Sequence, residues 1–165
     1  MAVVYDNTKI RLTNFGVANV RSKSEIVCAV GNTSLTKRKI AAIAVYLPPN
    51  LNAAACETAV DDLIECINKI KTKHCDPILM VGGDYNNKNI TRLLTAFPEL
   101  SPVEAGATRR GAALDEIYTN ISQSVKEKCV LKPLVKFDGT PSDHDIVAAT
   151  FKLPRTQKAV KSKFM

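Results

Sequence analysis

Four stretches of the chain hold side chains suited to ligand and proton chemistry: Tyr46-Leu47-Pro48-Pro49-Asn50, Gly82-Gly83-Asp84-Tyr85-Asn86, Leu114-Asp115-Glu116-Ile117-Tyr118 and Ser142-Asp143-His144-Asp145. Two glycines let a backbone turn sharply and come close to a ligand. Asp84 and Asn86 stand two apart, so in extended backbone a carboxylate and an amide share one face. The same spacing also closes a strand through an Asx turn, with no chemistry implied. Asp143-His144 puts an anion and an imidazole into one loop. The ring acts as acid, base or hydrogen-bond donor once a carboxylate orients its other nitrogen, and Asp115 is the candidate for that. A satisfied surface pair is the plainer alternative. Tyr46 ends an apolar run at a Pro-Pro break, which equally suits an amphipathic cap on a core, its hydroxyl in water. His74, the other histidine, follows a basic helix end and suits the dipole there.

Each stretch lies at the end of a predicted strand or in the loop beyond it. Ala2–Tyr5, Lys9–Thr13 and Glu25–Val30 read as short strands, and Lys37–Lys39 as a basic turn. Ile40–Tyr46 is an apolar run that fits a strand buried on both faces. From Ala54 to Thr72 the period is helical. Ala59, Leu63, Ile67 and Ile70 form one stripe with Ile64 beside it, and Asp61, Asp62, Glu65, Lys69 and Lys71 take the remaining surface. Asn52 is the expected N-cap. Pro77–Val81 predicts another buried strand, broken by Gly82-Gly83, and a short helix over Ile90–Ala96 stops before Pro98. A loop from Glu99 to Gly111 leads to strands over Leu114–Thr119, Val130–Lys136 and Ile146–Phe151. Strands with one long helix between two of them argue for packed sheets with outer helices.

At 165 residues the chain is long enough for one domain with a sizeable core. No apolar run approaches the roughly 18 residues of a membrane span, and no basic-then-apolar leader opens the sequence. Five cysteines, odd in number and without CxxC spacing, argue against a zinc site or a disulfide framework. Reduced, mostly buried thiols point to an intracellular compartment, nuclear or cytoplasmic. A net charge of +7 suits a polyanionic partner, although it also suits a merely soluble basic protein. With 5% aromatic residues, base-stacking platforms are not expected.

Taken in chain order, the four stretches resemble the endonuclease/exonuclease/phosphatase superfamily, which includes apurinic endonucleases, pancreatic deoxyribonuclease and inositol-polyphosphate phosphatases. Gly83-Asp84-Tyr85-Asn86 is similar to its Gly-Asp-Phe/Leu-Asn motif, Ser142-Asp143-His144 to its closing Ser-Asp-His, Leu114-Asp115 to its Leu-Asp pair, and Tyr46 with its prolines to its Tyr-x-Pro strand end. Ala107-Thr108-Arg109 ahead of Leu114–Asn120 is most similar to the endonucleases of non-LTR retrotransposons. The resemblance covers Ala2 to Phe151. It implies that Asp84 orients or deprotonates the attacking water and that Asn86 holds water and phosphate. It gives His144, braced by Asp115, to a non-bridging oxygen, and the Tyr46 hydroxyl to the scissile phosphate. Asp143 and Asp84 would serve Mg²⁺ or Mn²⁺, and Asn50, Thr108 and Arg109 would touch the substrate, nucleic acid and DNA above all. Hard oxygen ligands suit those metals.

The family pattern starts upstream of anything in this sequence, with an early Asn and then the Glu that is its principal metal ligand. Ala2–Tyr5 is similar to the strand beyond that Glu. Asp6 falls in a turn, and Glu25 opens a strand whose pattern resembles a non-catalytic one. The expected fold is therefore an α/β four-layer sandwich (α/β/β/α), truncated at its N-terminus, over residues 1–151. The basic tail 152–165, with five Lys or Arg and no acid, is expected to be disordered. A shortened ligand set implies negligible nuclease activity for the chain alone, with salt-sensitive nucleic-acid binding retained. Two other readings stay open: a catalytically dead remnant, and a phosphatase acting on soluble phosphoesters.

Overall fold

A computed structural model describes residues 10–17, 23–33, 36–104, 106–131 and 143–153. Ala2–Tyr5, Asp6, Ser142 and the tail from Pro154 onward lie outside the described residues. Strands β1 (Ile10–Val17), β2 (Glu25–Thr33) and β3 (Thr36–Tyr46) form an antiparallel run, then helix α1 (Ala53–Lys73) crosses to β4 (Ile78–Asp84), parallel to β3. The basic Lys37–Lys39 segment is part of β3, not a turn. Helix α2 (Thr91–Ala96), the two-residue β5 (Ser101–Pro102) and β6 (Asp115–Thr119) follow. These strands make a six-stranded sheet in the order β1-β2-β3-β4-β6-β5. Strands β7 (Val125–Leu131) and β8 (Ile146–Phe151) pair in a second sheet. No described helix is long and apolar enough to cross a membrane.

Helix α1 forms where its pattern requires it. Asn52 caps it by accepting the amide of Ala55 at 2.9 Å, satisfying a donor that the first turn leaves unpaired. Lys71 and Lys73 occupy the last turn, where positive charge suits the dipole, and the His74 amide donates to the Ile70 carbonyl. Its stripe of Ala59, Leu63, Ile67 and Ile70, widened by Cys56 and Val60, packs on Ile26, Ile43, Val45, Leu79 and Val81 of the sheet. Each such Leu or Ile contributes ~1.5–3 kcal/mol by leaving water. Asp62, expected on the solvent face, is buried on the flank of the stripe.

The opposite sheet face carries Ile40, Ile78 and Ile121, against which Met80, Phe151 and Leu153 pack. Alternate residues of β4 thus serve two cores, Leu79 and Val81 the helix side, Ile78 and Met80 the other. Helices, large sheet and small sheet form three layers among the described residues. Beyond Phe151 the Lys152 amide donates to the Ser124 carbonyl at 2.8 Å.

Two expectations about strands need correction. Gly82-Gly83 does not break β4, which runs through both to Asp84. Gly83 has φ +153°, and a Cβ there would lie 1.8 Å from the Val45 carbonyl oxygen, so close approach of β3 is what the glycine permits. The seventh strand begins at Val125 rather than Val130 and is described as far as Leu131, while residues 132–136 of the expected Val130–Lys136 lie outside the described residues. Its Lys126, Glu127, Lys128 and Cys129 are all exposed, so no apolar alternation marks it in the sequence. Of the five cysteines, all free, Cys28 and Cys56 are buried while Cys75 and Cys129 are exposed.

Candidate active site

One rung of the large sheet assembles the site. Tyr46 pairs with Asp84 across the parallel β3–β4 ladder, and Asp84 pairs with Asp115 across the antiparallel β4–β6 ladder. Register partners point to the same face, so a phenol and two carboxylates stand side by side. Glu25 of β2, opposite Tyr46, extends the row by one strand. Backbone bonds beyond the ladders fix the strand ends: the Leu47 amide donates to the Asp84 carbonyl at 2.9 Å, and the Tyr85 amide to the Leu114 carbonyl at 2.8 Å.

His144 arrives from the loop before β8, its Nδ1 2.8 Å from Asp115 Oδ2. A carboxylate only accepts, so Nδ1 carries the proton in this contact. Ligand atoms of Asp84, Asp115 and His144 all lie within 4.8 Å of one another. Burial raises the pKa of Asp84 above the usual carboxylate range. The Asp115 charge adds to that, while the Asn86 amide and His144 pull it back. Two carboxylates crowded together are what a divalent cation would relieve, and their oxygens suit Mg²⁺ or Mn²⁺. The donor set fits such an ion.

Of the two geometries open to Asn86, the Asx turn is the one adopted. Its φ of +46° ends the extended backbone, so it does not share a face with Asp84 by strand alternation. An Asx turn forms instead, the Asn86 amide donating to Asp84 Oδ1 at 3.0 Å, while its side-chain Nδ2 donates to the Leu47 carbonyl at 3.0 Å. That turn steadies the Asp84 carboxylate. Asn50 is exposed in the loop after Tyr46, and Lys88 Nζ secures this loop through the carbonyls of Pro49 and Leu51 at 2.8 and 2.9 Å.

Asp143, expected at the metal, is not among the three converging donors. Its Oδ2 meets Arg109 at 2.6 Å, an opposite charge that draws it away, and Arg109 in turn is engaged within the protein. Thr108, expected to touch substrate, is 1% exposed and offers no surface to one. Its hydroxyl accepts the amides of Leu114 and Asp115, each at 3.1 Å.

Among solved structures, an endonuclease/exonuclease/phosphatase family protein from Bacteroides thetaiotaomicron superposes with a TM-score of 0.67 at 14% identity, over 88% of this chain and 64% of that one. The chain has the endonuclease/exonuclease/phosphatase fold. A mannosyl-6-phosphatase of Bacteroides thetaiotaomicron matches with a TM-score of 0.68 at 15% identity, over 90% of this chain and 69% of its own length. Danio rerio TDP2 complexed with single-strand DNA product matches at 0.64 and 13%, over 89% and 70%. The chain therefore spans about two thirds of the length of these endonuclease/exonuclease/phosphatase folds. At the level of sequence no family model and no curated protein matches it.

Proposed function

We propose that the chain carries a divalent-metal-dependent phosphodiesterase site for nucleic acid, DNA in the first place, working by in-line attack of water on phosphorus. The observation behind the reading is the convergence of Asp84, Asp115 and His144 within 4.8 Å, in register with Tyr46. Asp84, with Asp115 beside it, would hold Mg²⁺ or Mn²⁺, which supplies Lewis-acid polarisation and charge neutralisation at the phosphate. Asp84 also orients the attacking water and accepts its proton. His144, steered by Asp115, hydrogen-bonds a non-bridging oxygen as charge builds. The Tyr46 hydroxyl donates to the same phosphate, and Asn86 steadies the water. The +7 charge and the DNA product held by one protein of this fold support a nucleic-acid substrate. The resemblance to retrotransposon endonucleases supports DNA. With Asp115 counted as a donor, the expected activity is slow rather than negligible.

A second reading, nucleic-acid binding without turnover, rests on the same charge. Plasmid nicking with Mn²⁺ separates the two. Slow nicking that EDTA stops and Asp84→Ala lowers by about a thousandfold or more supports the phosphodiesterase. Nicking unchanged in Asp84→Ala, or none while salt-sensitive DNA binding persists, overturns it.

A further inference from the structure

The hydrogen bonds around Thr108 reach both halves of the Asp115–His144 pair. On one side its Oγ1 accepts the amides of Leu114, just before β6, and of Asp115, its first residue, each at 3.1 Å. On the other its carbonyl accepts the amide of Asp145, the residue after His144, at 2.7 Å. Thr108 is held in turn by a tight hairpin. The amides of Thr108 and Arg109 donate to the Ala112 carbonyl at 2.9 and 3.0 Å, and the Ala112 amide returns to Arg109 at 2.8 Å. Arg110 and Gly111 at its tip have φ of +46° and +85°, the left-handed pair of a two-residue turn. The neighbouring Arg109–Asp143 ion pair, at 2.6 Å, adds a second tie to the histidine loop.

We infer that Thr108 is a positioning residue that sets the distance between Asp115 and His144, and so the orientation of the imidazole, without touching substrate. The strand end and the loop have no ladder bond between them at this point: β6 pairs with β4 and β5, β8 with β7. Thr108 bridges that gap with one side-chain oxygen and one backbone oxygen. The hydroxyl matters chemically, because a residue without an oxygen here leaves two amides near the Asp115 carboxylate without their acceptor. A displaced orienting carboxylate lets the ring turn, and misplacement of about 1 Å costs on the order of a hundredfold in rate.

The kinetic consequence rests on the phosphodiesterase reading, whereas the geometry is testable without it. The test compares Thr108→Ser and Thr108→Ala in the full chain, a pair that differs by the oxygen alone. The first readout is the far-downfield proton resonance of His144 Nδ1–H, assigned by its loss in His144→Gln. It should persist in Thr108→Ser and vanish or broaden in Thr108→Ala, with both variants folded by circular dichroism. The second is Mn²⁺-dependent nicking, in which Thr108→Ala should lose about a hundredfold in kcat at unchanged KM, and Thr108→Ser should recover most of it. A folded Thr108→Ala with an unaltered resonance overturns the inference. So does a rise in KM at constant kcat, which would make Thr108 a substrate contact. If Thr108→Ala does not fold, loss of the resonance in folded Thr108→Ser overturns it and retention supports it. A wild-type chain that does not nick defeats the phosphodiesterase reading, and the resonance still decides the role of Thr108.

Discussion

The two faces of the six-stranded sheet are held by different forces. On the helix face a continuous apolar cluster runs from β2 through β3 and β4 to α1 and α2, with Leu63, Ile67, Leu79 and Leu93 fully buried. Among the described residues, the other face buries Ile40, Ile78 and Ile121 together, with Met80, Phe151 and Leu153 half-covering them. The candidate site belongs to that second, thinner side, and polar bonds hold its loops: Thr108 to Asp115 and Asp145, and Arg109 to Asp143. An ordinary hydrogen bond contributes ~0.5–1.5 kcal/mol net, whereas emptying a buried leucine site costs ~2–5 kcal/mol. Stability therefore resides largely on one face and alignment on the other. A site built from directed bonds is exact in geometry yet cheap to disturb.

Three measurements break or sharpen that contrast. Leu63→Ala should cost ~2–5 kcal/mol in urea unfolding, and Met80→Ala on the thinner face less than half of that. Equal losses would mean that the second face carries as much of the fold as the first. Asn52→Ala should cost ~1 kcal/mol through the lost cap of α1, with no change in DNA nicking, since the cap lies on the stability side. The smallest effect belongs to Asp84→Asn, measured by thermal melts in EDTA. Burial raises the folded-state pKa of Asp84, so the native protein binds the proton more readily than the unfolded chain. Stability then falls as pH rises from the ordinary aspartate range through the raised value. Asp84→Asn should melt slightly higher than wild type at neutral pH, with the gain gone below the ordinary aspartate range. A gain that persists in acid would point to packing rather than charge.

Most of the helix face was legible because periodicity reports burial directly. The stripe of α1, its Asn52 cap and the apolar Ile40–Tyr46 run all have local causes. The start of β7 escapes the pattern because its exposed Lys126–Cys129 run imitates a loop. For Asn86 the spacing allowed either a shared strand face or an Asx turn, and φ +46° decides for the turn. The site was legible as a set of residues and less so as a set of contacts. Asp115 and His144 stand 29 residues apart, and only the fold decides that Asp115 joins the donors while Asp143 turns to Arg109. Thr108 shows the limit most clearly. A threonine in a loop reads as a polar group for solvent or substrate, and no local pattern reveals an oxygen bonded to a strand end and a distant loop.

Gly83 sits opposite Val45, one rung before the pair Asp84 and Tyr46. A methyl group there would overlap the Val45 carbonyl, so the two strands can lie this close only because that position has no side chain. The gap between phenol and carboxylate is thus gauged by main chain against main chain, like the spacing of two teeth on a comb. Any other amino acid, however small, would widen the comb at that notch and shift both groups together. The reach of the site across a phosphate is in this sense written in a residue that has nothing with which to touch it.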